Sequence, residues 1–115
     1  MWICTSSSFL SIVADRANKD RLLVRARIAG HIEAVFPEAE VFSKIGSDYE
    51  FRSFIPREEV MQVIAKQVGD IKYDNFKNSV KNHALHNAYL GFWSIMVTLQ
   101  EKTLGRSKKY LHHHI

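Results

Sequence analysis

Along RLLVRARI (21–28), Leu22, Val24, Ala26 and Ile28 alternate with Leu23, Arg25 and Arg27, a period of two that predicts a strand with one buried face. FLSIVAD (9–15) predicts a partner strand, joined to it through RANK and Asp20. AEVFSKI (39–45) and DYEFRSFI (48–55) predict a second pair around Gly46-Ser47, a two-residue hairpin signal. If Val24 and its neighbours face inward, the same parity turns Val41, Ile45, Tyr49, Phe51 and Ile55 inward as well. Arg25, Arg27, Phe42, Lys44, Arg52 and Phe54 then share the outer face, with Glu40 and Glu50 at the same parity.

Between and after the strands the apolar spacing changes to that of helices. Gly30 opens a short helical run, HIEAVF, which must stop near Phe36 because Pro37 disfavours helical geometry in the residue before it. Pro56 suits the first position of a helix, and Glu58 and Glu59 follow where the helix dipole favours negative charge. Val60, Ile64 and Val68 then recur every four residues until Gly69. A brief helical piece is predicted over 75–81 and a long helix over 84–102.

On the long helix, Leu85, Ala88, Tyr89, Phe92, Ile95, Met96 and Leu99 fall on one face, and Leu90, Trp93 and Val97 on an adjoining stripe. One sheet and one neighbouring helix can cover the face but not the stripe. The stripe is therefore expected to meet its two-fold mate in a homodimer, with His86 at the rim; the competing expectation is that 75–81 folds back over it. The order ββα-ββα-α predicts an α+β fold, a four-stranded antiparallel sheet from two hairpins with helices packed on one face. A single domain is expected over 1–102, with 103–115 as a basic, flexible tail.

Composition narrows the function classes. With 46% hydrophobic and 24% charged residues, the 115-residue chain reads as one globular domain. The net charge of +4 is not spread evenly: residues 1–101 hold twelve Lys/Arg against twelve Asp/Glu, and Lys102, Arg106, Lys108 and Lys109 supply the excess. Overall charge thus gives no argument for nucleic acid; a local patch must. Cys4 is the single cysteine, so neither an internal disulfide nor a thiolate metal cluster can form within one chain. No run of eighteen apolar residues occurs, and the first residues lack a basic, signal-like start, so the expected location is cytoplasmic.

The densest chemistry lies in YDNFKNSVKNHALHNAYLGFW (73–93). Tyr73, Asp74, His86 and Trp93 could line a cleft with His86 as base, but the width of the apolar arc favours a core or interface role for these side chains. His83 and His86, three residues apart, are too few for a zinc site. His112, His113 and His114 in a row cannot all face one ion in a regular helix, and no metal role is read from them. The five glycines stand apart, so no phosphate-cradling loop is present, and Ser6, Ser7 and Ser8 precede a strand rather than form a nucleophile elbow. Neither an enzyme nor a cofactor is expected.

MWICT at the start, LLVRAR (22–27), HIEAVFP (31–37), DYEFRSFIPREEV (48–60), IKYDNFKNSV (71–80) and AYLGFWSIMVTLQ (88–100) together resemble a family of roughly hundred-residue bacterial and phage proteins to which no activity is assigned. This chain departs from that pattern by continuing past Gln100. The resemblance implies a phage- or mobile-element-encoded modulator of a host machine. The residues themselves point to a non-enzymatic protein acting through protein–protein interaction, self-association included. The alternative is a single-stranded nucleic-acid module using the outer sheet face, where arginines interleave with aromatics.

Overall fold

The computed structural model describes residues 1–105. The elements run β1 (Trp2–Cys4), β2 (Phe9–Ala14), β3 (Arg21–Ala26), α1 (His31–Val35), β4 (Phe42–Ser43), β5 (Phe51–Pro56), α2 (Arg57–Gly69), α3 (Phe76–Ser79) and α4 (His83–Leu104). The fold is α+β, but its sheet has five antiparallel strands in the order β1-β2-β3-β5-β4, not the four expected. The additional strand, β1, has only three residues, too few for any alternation to show. It is fixed instead by a turn: the Thr5 hydroxyl oxygen accepts from the Ser7 and Ser8 N–H groups, and Met1 and Ile12 exchange backbone hydrogen bonds. The serine run is therefore a chain reversal, which extends the expected first hairpin into a three-strand meander.

The described residues form two compact units, Met1–Asp74 and a second that begins at Asn75. In the first, Leu10, Ile12, Val24, Ala26 and Ile55 on one sheet face pack with Ile32, Val35 and Phe36 of the α1 region and Val60 of α2. These are the inward positions that the alternation selects. Gly30 enters α1 at φ 89°, a left-handed conformation that glycine adopts without steric cost. Gly46 does the same at φ 89° in the β4–β5 turn, which the Lys44 N–H closes onto the Glu50 carbonyl. Pro56 ends β5 and caps α2 from outside rather than occupying its first turn.

Three inward assignments fail, each for a local reason. Ile28 lies beyond the end of β3 and is 53% exposed, while Ile45 sits in the turn and is 86% exposed. Tyr49 is buried, but beneath Arg25 and Arg27: their guanidinium carbons stand 4.4 and 4.1 Å from its ring centroid. Tyr49 precedes β5, so strict strand parity does not govern it.

In the second unit, Asn75 accepts from the Asn78 N–H at the start of α3, and Asn82 accepts from the Leu85 N–H at the start of α4. Gly105, at φ 71°, ends α4 in the left-handed conformation common at helix C-termini. α4 thus runs past the expected end at 102, and Thr103 and Leu104 belong to it. The rest of the expected tail, including His112–His114, lies outside the described residues. Phe76 of α3 packs on Tyr89, with centroids 5.2 Å apart, and the Lys77 ammonium lies 5.3 Å from the Trp93 ring centroid.

Candidate interaction surfaces

The pleat of the first unit sends one side chain from every strand to the face opposite α1 and α2. Trp2, Ser11, Arg25, Arg52 and Phe42 are register partners in succession, a single row across all five strands. Neighbouring rows add Phe9 and the Leu23–Phe54 pair. Phe42 and Phe54 stack with centroids 5.7 Å apart and planes inclined by 25°, and both remain about two-fifths exposed. Arg21 covers the Phe54 ring at 4.2 Å, and Trp2 meets Phe9 edge-on at 5.7 Å.

The arginines on this side differ in how far they are satisfied. Arg21 pairs with Asp15, whose carboxyl the guanidinium holds below the usual carboxylate range. Arg27 reaches the Asp48 carbonyl at 2.8 Å and its carboxylate only at 3.9 Å. Arg25 donates from Nη2 to the Ser11 hydroxyl at 2.8 Å, but its buried Nε has no partner among the described residues. Arg52 donates from Nε to the Tyr49 carbonyl at 3.0 Å. Among the described residues neither Arg25 nor Arg52 pairs with a carboxylate. Of the expected outer-face set, Arg25, Arg52, Phe42 and Phe54 form one cluster. Lys44 and Arg27 fall beyond the ends of β4 and β3. Sequence reasoning missed Trp2 because β1 was missed with it, while Phe9 lies on the expected strand 9–15, whose outward side was not assigned.

On its other face the first unit leaves an open apolar cleft between the β1–β2 edge and α2, about 570 Å³ in volume, lined in part by Ile3, Ile12, Leu22, Val60 and Ile64.

The second unit carries a surface of another kind. From His83 to Gln100, α4 has eighteen residues without Asp, Glu, Lys or Arg. The face expected to be core is buried only at its start, through Leu85 and Tyr89. Ala88 and Phe92 are exposed, and Ile95, Met96 and Leu99 are 67%, 58% and 53% exposed. The adjoining stripe of Leu90, Trp93 and Val97, with His86, is half-buried instead. The two faces exchange roles because α3 rests on the Tyr89–Trp93 side of α4.

Of the four residues conceivable as a cleft in 73–93, Tyr73 and Asp74 end the first unit, and His86 and Trp93 belong to the second. His83 Nε2 lies 3.3 Å from the Asn87 amide, and no group of three or more metal-ligating side chains occurs among the described residues. No helix among them is long and apolar enough to cross a membrane. No protein-family model, curated protein or solved structure matches the chain.

Proposed function

We propose that this is a non-enzymatic binding protein that acts through protein–protein interaction, with α4 as its contact helix and a second copy of the chain as its first partner. The observation that carries this reading is the spacing of the exposed side chains. Ala88, Phe92, Ile95 and Leu99 follow one another at intervals of four, three and four residues, the seam spacing of paired helices. Such a seam is self-complementary across a two-fold axis. With no charge on the helix over those turns, water wets a contiguous apolar ridge, which monomeric proteins rarely leave uncovered. Met96 widens the ridge on one side, and the Trp93 stripe with His86 flanks it.

Sedimentation velocity of the full chain from about 1 to 100 μM tests the reading, a range chosen for micromolar association. A dimer is expected, and Ile95→Lys should convert it to a monomer with an unchanged circular dichroism spectrum. A lysine there must lie against apolar side chains in the dimer but stays solvated in the monomer. A wild-type monomer at the highest concentration would refute self-association.

A further inference from the structure

Arg25 and Arg52 stand directly opposite each other in the β3–β5 register, neither with a carboxylate partner among the described residues. Like charges at facing positions of an antiparallel pair destabilise a sheet. Arg25 lies over the Tyr49 ring and bonds Ser11, and Arg52 bonds the Tyr49 carbonyl, but no carboxylate among the described residues neutralises the pair. An anion placed between the two guanidinium groups removes the conflict, held by the guanidinium N–H groups that are not already used on Ser11 and the Tyr49 carbonyl. Immediately beside the pair on the same face, Phe42 and Phe54 expose aromatic surface, and Trp2, 66% exposed, closes the far end of the row.

We propose that the sheet face opposite α1 and α2 binds single-stranded nucleic acid, with Arg25 and Arg52 on the phosphates and Phe42, Phe54 and Trp2 on the bases. The face is five strands wide, and at roughly 4.8 Å between strands it spans about 19 Å. That accommodates about two to three stacked bases, as aromatic-bearing sheets commonly do. Stacking needs unpaired bases, so a duplex cannot use the aromatic positions. An acidic protein would satisfy the arginines but would leave the rings without a reason to be exposed. The site is on the first unit and does not depend on α4.

Fluorescence anisotropy with a labelled fifteen-nucleotide oligo-dT and its oligo-U counterpart, using the full chain, tests this directly. Two phosphate contacts on a single strand predict roughly sevenfold weaker binding between about 50 and 200 mM salt. Phe54→Ala and Arg52→Gln should each weaken binding about tenfold. Phe54→Leu keeps much of the apolar volume and should weaken binding about as much as Phe54→Ala while melting like the wild type, which separates a stacking role from a structural one. Gln at Arg106, Lys108 and Lys109 together should change affinity by less than about threefold, since the body supplies the site. The proposal is overturned if the wild type binds neither oligonucleotide at low salt, if a duplex or poly-glutamate binds as tightly, or if only the tail variant loses affinity.

Discussion

Leu10 of β2 and Leu99 of α4 are the same side chain in opposite surroundings, one fully buried and the other 53% exposed. Around Leu10 the two faces of the sheet are sharply distinguished: aliphatic side chains toward the helices, arginines and aromatics away from them. Around Leu99 no comparable division exists, because α4 is apolar over most of its circumference while α3 is only four residues long. A four-residue helix cannot shield a twenty-two-residue one. The first unit therefore finishes its own core, whereas α4 leaves much of its apolar surface exposed. On the proposed self-association, the same methyl groups would stabilise folding in one region and association in the other.

That contrast is open to a matched pair of deletions, which should also show the largest effect of any single change considered. Leu10→Ala removes buried methyl groups and leaves a cavity, at a cost of about 2–5 kcal/mol in urea denaturation, independent of protein concentration. Leu99→Ala should cost under about 0.5 kcal/mol at high dilution, as exposed substitutions do, with a larger loss appearing only as concentration rises. Equal and concentration-independent losses would show that α4 contributes to folding of the single chain as the sheet does.

The legibility of the two regions in the sequence follows the same division. Strand alternation located β3 and β5 and chose their buried side correctly, because Val24 and Ile55 leave no other parity that hides them. It failed where no strand continues: at Ile28, Ile45 and Tyr49, and in β1, whose three residues are held by the Thr5–Ser8 turn. Helix ends were legible through Gly30 and Gly69, and less so through Pro56, which fits the strand that it ends as well as the helix that it precedes. For α4 the apolar arc was evident, but periodicity cannot say which part of a wide arc is covered. That depends on where α3 lands, and the contacts of Phe76 and Lys77 are tertiary facts. The outer-face cluster was half legible: parity found Arg25, Arg52, Phe42 and Phe54, but the opposition of the two arginines needs the register.

A smaller effect, of opposite sign, sharpens the claim that the first unit is otherwise well satisfied. Ser53 lies opposite Val24 on the inner face, 1% exposed, and its hydroxyl has no hydrogen-bond partner among the described residues. An unpaired hydroxyl in an apolar layer loses its water without recompense. Ser53→Ala should therefore stabilise the chain by about 1 kcal/mol, whereas polar-to-alanine changes at paired sites destabilise. A loss of stability on substitution would mean that the hydroxyl has a partner such as a buried water.

The smallest effect is expected from His31, at the start of α1, which ties the first turn of that helix to the sheet. Its Nδ1 accepts a hydrogen bond from the Phe9 N–H at 3.0 Å, a bond that requires the unprotonated nitrogen. Burial pushes the ring's pKa below its ordinary value of 6.5, since the charged form loses solvation. The unfolded chain therefore binds the proton more tightly than the folded one. This contribution is fully present above the unfolded value and declines as pH falls from 6.5 through the lower folded value. Asp15 does not obscure the window: its carboxyl titrates below its usual 3.8, so its ion pair with Arg21 is lost only at still lower pH. Urea midpoints should accordingly be lower at about pH 5.5 than at about pH 7.5. His31→Gln, which retains an acceptor but cannot titrate, should narrow that difference. An undiminished difference in the variant would place the titrating group elsewhere and remove His31 from the account of how the sheet unit holds its first helix.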